Sequence, residues 1–194
     1  MQRRVETRGG RKDRTALLLI DVVNDLEFDG GERLLPAALE MADAIVALKD
    51  VAYSRGLPTI YVNDNFSRWQ ANIDLLIETY LEQDVRGAPV IRKLRPDARD
   101  YHVLKPHQSG FFATPLERLL EHLDVKRLIL AGLTTDRCVL FTAMDAYMRG
   151  YALSVPADCS AAIEPKHHAE CIAYMARVLK AETRPSSKHL EEWL

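Results

Sequence analysis

The chain has only three cysteines, Cys138, Cys159 and Cys171, an odd number with no Cys-x-x-Cys pair among them. That usage argues against a disulfide framework or a zinc knuckle and fits free thiols in a reducing compartment. No uninterrupted apolar run approaches the roughly 20 residues that a bilayer crossing needs, so no membrane partner is expected. Nor is there an excess of charge of one sign. The net charge of −2 gives no reason to expect nucleic acid or an anionic surface as a partner. Internal repeats and low-complexity tracts are missing too. Met1 to Arg14 carries Arg3, Arg4, Arg8, Arg11, Lys12 and Arg14 with no apolar stretch behind them. That is not the pattern of a secretory signal peptide. Residues 1–14 read as a flexible, solvated basic arm, and the cytoplasm is the expected location.

What remains is an ordinary globular composition, 47% hydrophobic and 28% charged over 194 residues, which suits one domain with a full core. The expected domain spans residues 15–180, with a polar tail over 181–194 that ends in Trp193-Leu194. Short apolar runs mark strands at Thr15 to Ile20, Thr59 to Val62, Tyr101 to Leu104, Arg127 to Ala131 and Tyr151 to Val155. Between them lie helical patterns: one opening at Pro36 and stopped by Gly56-Leu-Pro58, one from Trp69 to Leu81, and one from Asp136 to Arg149 stopped by Gly150. Another starts at Thr114-Pro115-Leu-Glu117, where Thr114 can cap, Pro115 suits the first position and Glu117 completes a capping box. The last opens at Pro165. Arg86 to Arg99, rich in Pro, Gly and Arg, reads as loop with short extended pieces. The alternation predicts an α/β protein, three layers α/β/α around a central, mostly parallel sheet of five or six strands.

In such sheets ligands bind beyond the carboxyl ends of the strands, where strand order reverses. Three reactive residues fall at such ends: Asp21 after the first strand, Lys105 after the third and Cys138 after the fourth. A cysteine on a strand-to-helix turn lies among unpaired N–H groups that favour a thiolate and can bind an oxyanion. Taken singly, each residue has a plainer reading. Asp21 would be a loop cap, Lys105 a solvated edge charge and Cys138 a small buried hydrophobe. Their joint placement favours chemistry: Asp21 takes the thiol proton and Lys105 keeps the local field positive.

Three segments carry a resemblance: Thr15-Ala-Leu-Leu-Leu-Ile-Asp21-Val-Val-Asn24-Asp25, Val103-Leu-Lys105-Pro-His-Gln-Ser-Gly110-Phe-Phe-Ala-Thr114-Pro-Leu, and Ala131-Gly-Leu-Thr134-Thr-Asp-Arg-Cys138-Val. In their order and spacing, the chain from Thr15 to Leu179 resembles the isochorismatase-like cysteine hydrolase superfamily. The resemblance implies that superfamily's α/β/α hydrolase fold and a catalytic triad of Asp21, Lys105 and Cys138. It also implies a cis peptide just before Thr134, and an oxyanion hole made by the backbone N–H groups of Thr134 and Cys138. Homo-oligomers, dimers or tetramers, are implied as well.

Departures within the superfamily narrow the expectation. The nicotinamidase branch carries metal-binding histidines after the second strand, whereas Val62 to Trp69 here contains none, so no metal and no cofactor are expected. The isochorismatase branch proper lacks the cysteine. The resemblance therefore implies a metal-free amidohydrolase that cleaves a non-peptide C–N bond of a small amide, carbamoyl or ureido substrate through a thioester. Its rivals are a non-catalytic ligand- or partner-binding protein of the same fold and an ester or vinyl-ether hydrolase.

Phe66, Trp69, Phe111 and Phe112 sit on loops at the same sheet edge. They are candidates to wall the substrate pocket, and ordinary core or interface aromatics are the equal alternative. Asp25 reads as a loop cap and His107 as a surface residue. His167-His168 lacks the i, i+4 spacing of a metal pair. Cys159 is expected to pack rather than react, and Cys171 to lie in the core on the apolar face of the last helix.

Overall fold

The computed structural model describes residues 14–65 and 72–187. Its centre is a six-stranded parallel sheet. The strands are β1 (Thr15–Ile20), β2 (Thr59–Asp64), β3 (Tyr101–Lys105), β4 (Arg127–Leu133), β5 (Ala152–Ser154) and β6 (Ser160–Ala161). They lie in the order β3-β2-β1-β4-β5, and β6 pairs with β4 beyond β5. All pairings are parallel.

The continuous apolar run of β1 reflects burial on both faces, as a central parallel strand requires. Leu17 and Leu19 point into one core with α1 (Gly31–Ser54), α2 (Ile73–Glu82) and α3 (Ala88–Lys93). Ala16, Leu18 and Ile20 point into the other, with α4 (Leu116–His122), α5 (Leu140–Met148) and α6 (Pro165–Val178). Three layers result. Among the described residues no helix is long and apolar enough to cross a membrane.

Several boundaries differ from the sequence expectation, each for a local reason. Helix α1 starts at Gly31, five residues before Pro36, which sits inside it. A proline there forfeits a single N–H bond near the helix start, and the buried positions Leu34, Ala38 and Met41 continue through it. Helix α2 starts at Ile73, where Asn72 Oδ1 accepts from the N–H of Leu75 at 2.8 Å. Trp69, its expected start, lies outside the described residues. The segment read as loop holds the short α3, because Pro89 stands in its first turn and Val90 and Ile91 bury against the core.

At α4 the Thr114 hydroxyl does accept from the N–H of Leu116, at 3.2 Å. The capping box is not completed, because Glu117 faces Arg149 at 3.3 Å instead. Gly150 ends α5 with φ 80°, as expected of a left-handed terminator.

Candidate active site

Strand β1 lies between β2 and β4, so its carboxyl end is the point where strand order reverses. Asp21 follows β1 and Cys138 follows β4, and the pairing Ile20↔Gly132 brings the two turns side by side. Gly132 makes this possible. Its φ is +120°, and a Cβ there would stand 2.0 Å from the carbonyl oxygen of Ile20. Lys105 closes β3 and reaches in from behind β2, across the pairing Asp64↔Lys105.

The three predicted residues meet. Lys105 Nζ is 2.8 Å from Asp21 Oδ2 and donates to Cys138 Sγ at 3.4 Å. The Asp21 carboxyl and the Cys138 thiol also act on one another electrostatically. Lys105 is wholly buried, Asp21 nearly so, and Cys138 is half-buried. Asp21 has φ 49°, a left-handed conformation that Asp tolerates better than most residues. Its Oδ1 accepts the N–H of Asp64 at 2.6 Å. The Leu133–Thr134 peptide bond is cis.

Charge is unevenly matched here. Burial holds the Asp21 carboxyl above its ordinary 3.8, against the pull of the Lys105 ammonium. Burial works to lower Lys105, but Asp21, Cys138 and Asp64 outweigh it and hold the ammonium above 10.5. The Cys138 thiol is pushed up to about 12, first by burial and next by the charge of Asp21, with Lys105 opposing. Burial and the charge of Asp21 thus work against the thiolate expected at a helix start. These directions favour a thiol at Cys138 and an ammonium at Lys105, with the Asp21 carboxyl beside both.

The backbone around Cys138 also differs from a plain helix start. Thr135–Val139 form a π turn, and α5 begins only at Leu140. The carbonyl of Thr134, which an α-helical turn would pair with the N–H of Cys138, accepts instead from Arg137 at 3.1 Å and Val139 at 3.2 Å.

A cavity of about 560 Å³ opens onto this centre. Asp21, Asp64, Thr134 and Cys138 line it together with Asn24 and Arg137. Arg33 from α1 and Glu164 before α6, both partly exposed, form an ion pair at its edge. Two residues not singled out from sequence belong to the setting. Asp64 lines the cavity and stands 3.6 Å from Lys105 Nζ. Asn63, fully buried, accepts from Val23 N at 3.1 Å and donates to Val23 O at 2.7 Å, fixing the loop that follows Asp21. The polar run Asn63-Asp64-Asn65 closing an apolar strand was the available signal.

The aromatic candidates are placed differently. Phe111 is buried in the core, 4.8 Å beneath the Arg149 guanidinium, and Phe112 is exposed beside His107. Neither lines the cavity. The reason is local: Ser109 and Gly110 bond to Asp145 and Thr142, which holds this loop against α5. Phe66 and Trp69 fall outside the described residues. His107 is exposed, and Asp25 caps its loop by accepting from Glu27 N at 3.0 Å. Cys159 is buried, and burial raises its thiol. Cys171 is half-buried rather than in the core, because the face of α6 that carries it is only partly covered. Among the described residues no group of three or more His, Cys, Asp or Glu side chains is placed to hold a metal ion.

Residues 15–184 match the family described as the isochorismatase domain, so the chain belongs to the isochorismatase family. It is 36% identical over 177 residues to an "uncharacterized isochorismatase family protein" of Bacillus subtilis (strain 168), covering 91% of this chain and 97% of that one. Among solved structures it resembles N-carbamoylsarcosine amidase from Thermoplasma acidophilum, with 28% identity, a TM-score of 0.67, and 90% and 97% of the two chains covered. It likewise resembles a nicotinamidase from Staphylococcus aureus, with 26% identity, a TM-score of 0.67, and 89% and 99% covered. The family is hydrolytic and has amidase-type members.

Proposed function

We propose that this member of the isochorismatase family is a cysteine hydrolase that cleaves the C–N bond of a small amide, carbamoyl or ureido compound. The observation that carries the reading is the contact of buried Lys105 with Asp21 and Cys138, two residues that line one cavity. Asp21 takes the proton from Cys138 Sγ, and the sulfur attacks the substrate carbonyl carbon. The carbonyl π electrons move to oxygen, where the N–H groups of Thr134 and Cys138 stabilise the charge. Losing one such donor typically costs about 2.7–4 kcal/mol of transition-state stabilisation. The C–N bond then breaks as Asp21 returns its proton to the leaving nitrogen. A thioester remains on Cys138. Water attacks it while Asp21 removes a proton, and the acid and the free thiol are released.

Lys105 has two effects in this scheme. It favours the ionised Asp21 against burial, and it lowers the cost of a transient thiolate. An amide reading also fits the amidases among the similar structures. The test is a panel of small amides and ureido compounds read by ammonia release. Release from at least one compound, abolished in Cys138→Ala, supports the proposal. No release across the panel, with release of a product from an ester or vinyl ether, overturns it in favour of C–O cleavage.

A further inference from the structure

Behind the turn that carries Cys138 lies a polar connection that the proposed reaction does not use. Thr135 is fully buried, and its hydroxyl contacts Ser160 Oγ at 3.0 Å and His168 Nδ1 at 2.8 Å. The three residues come from three elements: the π turn, β6 and α6. Ser160 is itself paired in register with Gly132, the residue that lets β4 approach β1. A hydroxyl carries one proton, so Thr135 donates to one neighbour and accepts from the other. The side chain is thereby fixed from two directions. Thr135 is also bonded through the chain to Thr134 and lies three residues before Cys138.

We propose that His168 is a positioning residue: through Thr135 it holds the π turn in the register that places Cys138 Sγ beside Asp21 and aims the Thr134 and Cys138 N–H groups into the cavity. The inference rests on the reading of Cys138 as the nucleophile. A buried hydroxyl needs some partner, but an ordinary helical threonine finds it on its own preceding turn. Here the partners come from outside the element, from β6, which pairs with the end of β4, and from α6. Misplacing a nucleophile by about 1 Å can lower a rate about a hundredfold with little effect on binding. His168 also borders a separate cavity of about 270 Å³ with Ser160 and Glu40, so shortening its side chain enlarges existing space instead of opening a void in packed core.

The test compares His168→Ala, His168→Asn, His168→Gln and Thr135→Val in the full chain. Asn can place a polar atom where Nδ1 stood, whereas Gln mimics Nε2. His168→Ala and Thr135→Val should each lower kcat about 10- to 100-fold with KM within about threefold. Their combination should cost no more than either alone. Asn should restore kcat to within a few-fold of wild type, and Gln should not. Alkylation of Cys138 by iodoacetamide, located by peptide mass, should change by at least about threefold in the Ala and Val variants and stay at the wild-type rate in Asn. Unchanged kcat and alkylation in His168→Ala overturn the inference. So does equal impairment in Asn and Ala, the result of a purely packing role. If wild type releases no ammonia from any amide, the functional reading fails separately, and the alkylation rates still decide the role of His168.

Discussion

The Lys105 ammonium lies 2.8 Å from the Asp21 carboxylate, with the Lys105 side chain cut off from solvent. A cation buried this deeply is tolerable only beside its counter-charges, and each partner is costly to strand. Lys105→Met removes the charge at similar volume and leaves Asp21 buried without it. The expected result is a loss of about 3–5 kcal/mol in denaturant unfolding, the usual cost of breaking a buried pair from one side. Ammonia release should fall with it.

Asp21→Asn should separate reactivity from turnover. The charge of Asp21 is the second cause, after burial, of the raised Cys138 thiol, and Lys105 acts in the opposite sense. With Asn in place the thiol loses a nearby anion and keeps the cation, so its pKa falls below about 12. Iodoacetamide should then alkylate Cys138 faster near neutral pH than in wild type, although turnover falls at least about a hundredfold for want of a base.

The pH dependence of stability has a definite sign. Lys105 is held above its ordinary 10.5 in the folded state, so its contribution is fully present below 10.5 and is lost as pH rises through the folded value. Thermal unfolding followed from pH 9 to 12 should show this alkaline loss in wild type and a weaker one in Lys105→Met. Asp21 has the same sign, displaced to acid pH. Its folded value is raised above 3.8, so by itself it adds stability that is fully present below 3.8 and lost as pH rises through the folded value. The acid limb of kcat/KM should accordingly lie above 3.8.

Gly132→Ala tests the close approach of β1 and β4. The new Cβ would meet the Ile20 carbonyl oxygen at 2.0 Å, and φ +120° is strained for any residue with a side chain. The expected cost is about 3 kcal/mol or more in unfolding free energy. A variant with wild-type stability would mean that the two strands are not in this register.

Much of the scaffold was legible in the sequence because buried parallel strands are short and apolar and are punctuated by Gly, Pro and Asp. The run Thr15 to Ile20 is buried at every position, and the meeting of Asp21 with Cys138 follows from where their strands end. Helix α3 was not legible. The prolines and arginines of residues 86–99 look like loop until Val90 and Ile91 are seen to have a core to bury against. The π turn at Thr135–Val139 was hidden for a related reason, since its hydrogen-bond shift leaves no mark on side-chain periodicity. Which alternative holds for Phe111 and Phe112 was not legible, because adjacency to Lys105 in sequence says nothing about which way the loop turns. For Cys138 the turn's N–H groups, Asp21 and Lys105 were legible, but burial, the largest cause that pushes the thiol up, was not.

Covalent bonding of the Cys138 sulfur to the acyl part of the substrate is the step on which the proposed reaction rests. Its most direct test is intact-protein mass measurement after rapid acid quench of wild type with an amide it cleaves. Wild type should show an adduct equal to the substrate minus its leaving amine, mapped to the peptide containing Cys138 and missing in Cys138→Ala. Full ammonia release by Cys138→Ala would contradict it.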